Sequence, residues 1–246
     1  MTAAFYSPPD DIGEESLIIS GSEAHHLGKV MRLKKGDPIM VIDGIGNGYR
    51  CEIEKKSGKT VQCKIHSRIR NFGEPLNRVT IAAGLSVGSK FDEVIQRVTE
   101  LGAVRIIPVL TEKSKVKIED DKKVKTKLTR WKKVALASTK QTGRSVIPEI
   151  LPPTPFARMF DSLDDLGKAI IFNPNHSGKG LEKDVLDDNR LYTLIIGPES
   201  GFTLDEISVA RKSGADIVSL GKRILRTENA VPTATALVMY LLNELS

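Results

Sequence analysis

The sequence predicts an α/β protein in two parts: a small antiparallel β domain, then a larger domain built on a parallel sheet. Two observations carry this. Ahead of residue 75, apolar and polar residues alternate with period two in runs separated by glycine-rich turns, the pattern of half-buried hairpin strands. Beyond residue 75 the texture becomes apolar strand, amphipathic helix, apolar strand, which is the signature of a βαβ unit and hence of a parallel sheet.

Taken in order, the first part opens with SEAHHLGKVMRLKKGD, read as a short helix ending in a lysine-rich turn that places Lys29, Arg32, Lys34 and Lys35 near one surface. Strands follow in PIMVIDG, YRCEIEKK and TVQCKIHSRI, with turns at GIGNG and KSGK. The second part starts with VTIAAGL, then a helix from about residue 89 whose Phe91, Val94, Ile95, Val98 and Leu101 fall on one stripe, with Gly102 as its C-cap. VRIIPVL is the next strand. A helix over residues 124–142 buries Val124, Leu128, Trp131 and Ala135, and PEILPPTPF reads as a proline-rich connector. Strands KAIIFNP, LYTLIIG and DIVSLG complete the sheet, with a helix over 203–212 between the last two and another after Gly221. Thr203 and Glu206 have capping-box spacing. Pro232 places the start of the last helix close to it, because proline suits a first turn.

Composition narrows the class. The chain has 246 residues, a net charge of +6 and two cysteines. No window approaches the roughly 18 apolar residues of a membrane span, and the N-terminus lacks the pattern of a signal peptide, so a cytoplasmic protein is expected. Cys51 and Cys63 sit in strand-like runs, and neither they nor the histidines have metal-ligand spacing, so no metal is expected. Residues 113–144 hold twelve Lys or Arg against three acids, a local +9 that leaves −3 for the rest. That segment, which includes Lys113, Lys115 and Arg144, is either the footprint of a polyanion ligand or a lysine-rich solvated face.

The loop GPESG follows a buried strand and precedes the Thr203 helix, the position where open α/β sheets bind ligands. It matches neither GxGxxG nor GxxxxGK[ST] and lacks the lysine of a triphosphate site. A second loop, LGKRILRTENA, leaves the next strand and carries Arg223 and Arg226, which either clamp a ligand or make surface ion pairs.

Together, GPESGFTLDEI and LGKRILRTENA resemble the cofactor-binding signature of the RsmE-type 16S rRNA (uridine-N3)-methyltransferases of the SPOUT superfamily. VIQRVTELGAVRIIPVLTEKS, KQTGRSVIPEI and HHLGKVMRLKKGD extend the resemblance over essentially the whole chain. It implies a PUA-like RNA-binding β-barrel over residues 1–72. Residues 73–246 would form a SPOUT methyltransferase domain with a deep C-terminal trefoil knot. It further implies S-adenosyl-L-methionine as cofactor, held by Phe172, Asn173, Gly197, Pro198, Glu199, Gly201, Leu220, Gly221, Ile224, Leu225 and Arg226. The implied substrate is 16S rRNA in the 30S subunit, and the implied assembly a homodimer with the site near its interface.

Arg226 is the candidate for stabilising negative charge on the base or its phosphate. Glu199 is a candidate proton acceptor, although a carboxylate at a helix N-terminus is a feeble base and an ordering role for the loop is the other reading. The resemblance also implies departures: the family usually reads GPEGG where this chain has Ser200 and LRTETA where it has Asn229, and commonly has an arginine near Ala3 and Ala4 and a lysine at the position of Val87. An RNA-binding protein without catalysis and a nucleotide-dependent oxidoreductase are the alternatives.

Overall fold

The computed structural model describes residues 4–86, 89–114, 120–165, 167–174, 180–186 and 190–245. The chain divides into two compact units, residues 1–74 with 136–147, and residues 75–135 with 148–246.

In the first unit, five strands form one sheet in the order β1-β3-β4-β5-β2: β1 (Phe5–Tyr6), β2 (Ser16–Ser20), β3 (Pro38–Ile42), β4 (Asn47–Ser57) and β5 (Thr60–Arg70). β3, β4 and β5 are the alternating runs of the sequence, and Leu17 and Ile19 of β2 join Val41, Cys51, Ile53 and Cys63 in one core. Two edge strands depart from the predicted antiparallel hairpins. β2 pairs antiparallel with β5, but β1 pairs parallel with β3. A two-residue strand carries no periodicity, which is why FY was not legible as one. Helix α1 (Gly21–His25) runs on as a π turn, His26–Val30, and Arg32 then adopts φ 54°, ending the element. Lys29, Arg32, Lys34 and Lys35 are all exposed there. At the turn between β3 and β4, buried Asp43 accepts hydrogen bonds from the backbone of Ile45 and Asn47 and from the side chains of Asn47 and Tyr49. Buried polar groups must be paired in this way.

Arg144, expected at a basic surface, is a correction. Only 3 % of it is exposed, and its guanidinium donates to Glu74 through both Nε and Nη2. Glu74 also accepts from the backbone N–H of Ser145 and Val146. The arginine serves a buried ion pair and is not presented to a phosphate.

The second unit is the predicted parallel sheet, in the order β12-β10-β11-β6-β7-β8 with β9 also pairing β7. Its strands are β6 (Arg78–Gly84), β7 (Arg105–Leu110), β8 (Glu149–Ile150), β9 (Thr154–Pro155), β10 (Lys168–Phe172), β11 (Leu191–Ile196) and β12 (Asp216–Val218). The proline-rich connector therefore supplies two short strands to the sheet edge, where proline's missing N–H is tolerated. Ala82, Ile107, Ile171, Ile195 and Ile217 share one face with Phe156, Met159 and Phe160 of the 3-10 segment Phe156–Asp165 and with Ala210 of α4 (Leu204–Lys212). α5 (Thr227–Leu241) lies on β6 and β11 and packs against α2 (Lys90–Glu100). Each fully buried Ile or Phe in these layers contributes about 1.5–3 kcal/mol.

α2 buries Phe91, Val94, Ile95 and Val98 as its stripe predicts. α3 (Asp121–Thr142) buries Trp131 and Ala135, with Val124 and Leu128 half-buried. Pro232 lies in the second turn of α5, beyond the first turn that the sequence rule favours. Proline has no N–H to donate to the Glu228 carbonyl four residues back. Arg97 of α2 donates to that carbonyl instead, at 3.0 Å.

Candidate active site

The carboxyl ends of three adjacent strands form a common rim. Phe172, the last residue of β10, is in register with Ile196 of β11 and with Val218 of β12. The three loops that leave these ends meet in one cleft. Phe172, Asn173, Gly197, Pro198, Glu199, Gly201, Leu220, Gly221, Ile224 and Leu225 all line it, as the sequence predicts for one pocket. Arg226 does not line it. It caps the N-terminus of α5 with an exposed side chain, between the lining residues Leu225 and Thr227. Arg223, one of the two arginines read as a ligand clamp or a surface pair, lines it, and Phe202, Thr227 and Ala230 are lining residues that were not assigned from sequence.

Local chemistry fixes each wall. Thr203 and Glu206 form the predicted capping box: the Thr203 hydroxyl accepts from the Glu206 N–H and the Glu206 carboxylate accepts from the Thr203 N–H. The same carboxylate accepts from the backbone of Glu112, tying the GPESG loop to the end of β7. Ser200 does comparable work, its hydroxyl donating to the Lys113 carbonyl at 2.9 Å, while the Lys113 ammonium donates to the Phe202 carbonyl. Gly201, at φ 67°, is in the left-handed region that glycine favours. The hydroxyl of Thr227 donates to the Gly197 carbonyl at 3.2 Å, joining the second loop to the first.

Lys90, at the start of α2, joins them again. Its ammonium lies 2.5 Å from the Glu199 carboxylate and 3.2 Å from that of Glu228. These hydrogen bonds, that to Glu199 foremost, hold the Lys90 ammonium above its ordinary pKa. Glu228's carboxyl is held below the usual range by its own backbone N–H, against burial, and further by Lys90. No sequence signal pairs residues 109 positions apart, so Lys90 was missed.

The fate of the other expected residues is plain. Lys113 touches the cleft loop, whereas Lys29, Arg32, Lys34 and Lys35 belong to the first unit. Lys115, Ala3 and Val87 lie outside the described residues. Cys51 and Cys63 are buried free thiols, pushed up to about 12 mainly by burial. Among the described residues there is no group of three metal-ligating side chains, and no helix is long and apolar enough to cross a membrane.

Comparison with known proteins decides the family. A model described as an RNA methyltransferase domain matches residues 73–239, and one described as an RNA methyltransferase PUA domain matches residues 19–65. The ribosomal RNA small subunit methyltransferase E of Bacillus subtilis is 32% identical over 228 residues, covering 90% of this chain and 89% of the relative. The chain belongs to this methyltransferase family. It is an rRNA methyltransferase by descent and by fold. Solved members superpose over nearly the full length. A methyltransferase from Legionella pneumophila, in complex with bound SAM, has a TM-score of 0.84 at 30% identity, covering 98% of each chain. The Neisseria gonorrhoeae ribosomal RNA small subunit methyltransferase E, bound to S-adenosyl methionine, has the same TM-score at 26% identity and the same coverage.

Proposed function

We propose that the cleft at the ends of β10, β11 and β12 binds S-adenosyl-L-methionine and that the enzyme methylates N3 of a uridine in 16S rRNA of the 30S subunit. The observation that carries this reading is the convergence of three strand-end loops on one cleft, two of them lining it with glycine, with Arg223 as the one cation in the described lining. Such a wall, mostly apolar with close backbone, suits a ligand recognised chiefly by shape and backbone contacts. Phe172, Leu220, Ile224, Leu225 and Ala230 supply apolar surface for an adenine ring, and the backbone at Gly197, Pro198, Gly201 and Gly221 supplies close-approaching polar groups. When bound, this cofactor supplies an electrophilic methyl on a sulfonium.

The chain's own part is to orient the base and favour its N3 anion. Neutral uridine N3 carries a proton and is a poor nucleophile, so that proton must pass to water as the N3 anion forms. Arg226, exposed beside the cleft, is assigned to stabilise the developing negative charge on the base or its phosphate. Glu199 is assigned to ordering the loop, because its carboxylate is already engaged by the Lys90 ammonium. Positioning is the larger lever, worth on the order of 7 kcal/mol or more in favourable cases.

The domain division at residues 1–72 and 73–246 belongs to the same reading, with a PUA-like first domain docking RNA through Lys29, Arg32, Lys34 and Lys35. So does a trefoil knot. In its support, Ser219 bridges Gly180 of the β10–β11 connection before the chain passes from the edge strand β12 to α5, which lies on β6 and β11. A homodimer is supported by the apolar residues that α5 and its flanks leave outside, Leu237, Tyr240 and Leu245 with Ile224. The working compartment is the cytoplasm, where ribosomal subunits are assembled.

The test is incubation with tritiated S-adenosylmethionine and unmethylated 30S subunits. Label is expected in 16S rRNA, and Arg226→Ala should cut transfer far more than cofactor binding. A protein that does not bind the cofactor would end this reading.

A further inference from the structure

We propose that the outer face of α3 is a docking rail for the phosphate backbone of the RNA substrate. The proposal rests on the methyltransferase reading above and adds to it the surface that holds the strand beside the cleft.

From Lys122 to the end of α3 there is no acidic residue. Lys122, Lys123, Lys125, Lys127, Arg130, Lys132 and Lys133 all fall within its first thirteen residues. Buried Trp131 and Ala135, with half-buried Val124 and Leu128, fix the inner face, so the cations cover the outer one. Lys122, Lys123, Lys125, Lys132 and Lys133 are exposed and have no carboxylate partner among the described residues. Of these seven, Arg130 pairs with Asp92 and Lys127 lies over the Trp131 ring, while Lys140, farther along the helix, pairs with Glu23.

A helix face that is merely solvated usually alternates in sign. α2 in the same unit does so, with Asp92, Glu93 and Glu100 beside Lys90 and Arg97 and an Arg97–Glu93 ion pair. α3 instead places like charges at helical neighbour spacings, Lys122 with Lys125, Lys123 with Lys127 and Arg130 with Lys133, each of which disfavours the isolated helix. A polyanion relieves that repulsion. Its acids, Asp120 and Asp121, are confined to the N-terminal end, where Asp120 accepts from the Lys122 N–H.

The rail also lies close to the cleft. Arg130 pairs with Asp92 and Trp131 packs on Phe91, at a centroid distance of 4.9 Å, in the first turn of α2. The same turn carries Lys90, which touches Glu199 on the cleft wall. From Lys122 to Lys133 the helix rises about 16 Å, the length of several nucleotides of a strand.

The experiment compares the full-length protein with the triple variant Lys125→Gln, Lys132→Gln, Lys133→Gln. The control is a second triple variant, Lys55→Gln, Lys56→Gln, Lys59→Gln, which removes the same charge from the exposed β4–β5 hairpin. Affinity for an unmethylated 16S rRNA transcript is measured between 50 and 200 mM salt, alongside S-adenosylmethionine affinity by calorimetry. Each lost phosphate contact lowers the salt slope by about 0.7–0.9, so the α3 variant should lose about 2 units of slope and on the order of a hundredfold in affinity. Its cofactor affinity should be unchanged, and the hairpin variant should stay within a few fold of the parent. An α3 variant that binds RNA like the parent overturns the proposal, and so does an equal loss in both variants, since net charge alone would then explain it. A parent that binds cofactor but not RNA overturns the substrate reading and this inference with it. A parent that binds RNA but not cofactor overturns the cleft assignment while leaving the rail standing.

Discussion

Gly84→Ala places a methyl group directly under the cleft. Gly84 ends β6, and the main chain of Gly197 and Pro198 crosses immediately over it. A Cβ at Gly84 would lie 2.8 Å from the Gly197 carbonyl carbon and closer still to the Pro198 nitrogen and Cδ, where ordinary contact begins at 3.4 Å. The loop would therefore retreat by at least about 0.6 Å at Gly197 and further at Pro198. Overpacking of this size costs about 1–3 kcal/mol in stability. Its functional effect is the sharper one, since a displacement near 1 Å in a positioned site can cost about a hundredfold in rate. Calorimetric titration with S-adenosylmethionine should show affinity reduced at least about tenfold, equivalent to about 1.4 kcal/mol. Gly28→Ala, with nothing within 4 Å of the new methyl, serves as the neutral comparison. A Gly84→Ala protein that binds the cofactor within twofold of the parent would refute the placement of that wall.

Other outcomes follow from the same geometry. Glu74→Ala removes the carboxylate that pairs with a guanidinium only 3 % exposed and should cost about 3–5 kcal/mol in urea unfolding, a loss that a surface ion pair would not produce. Lys90→Met should raise the cofactor KM with little change in kcat, with partial rescue by Lys90→Arg; a fall in kcat at unchanged KM would assign Lys90 to the chemistry instead. Because the folded state raises the Lys90 pKa, the tie is intact below the ordinary lysine pKa and is lost only as pH rises through the raised value. The Lys90-dependent part of cofactor affinity should therefore be flat from about pH 6 to 9. Cys51 and Cys63, with thiols at about 12, should not react with a disulfide reagent at pH 8 until urea unfolds the first unit; reaction in the native protein would show that unit to be more open than described.

What could be read from the sequence was what is written in local period. The stripe of α2, the capping box at Thr203 and Glu206 and the apolar strands on either side of GPESG are neighbours in sequence, so spacing alone reports them. The two cleft loops were legible for the same reason, as each follows a strand end. Interactions that close long loops were not. Lys90 meets Glu199 across 109 residues, Arg97 satisfies the carbonyl orphaned by Pro232 across 131, and Arg144 turns inward to Glu74 across 70. A cation count over residues 113–144 treats Arg144 and Lys133 alike, although one is buried in an ion pair and the other exposed. Charge is additive in sequence, whereas accessibility is set by tertiary partners.

The most direct measurement of the central claim is nucleoside analysis of 16S rRNA from 30S subunits treated with the enzyme and S-adenosylmethionine. Digestion and mass spectrometry should yield one 3-methyluridine per subunit, absent when Arg226 is replaced by alanine. A methyl group found on carbon 5, on a ribose hydroxyl or on another base would contradict the account.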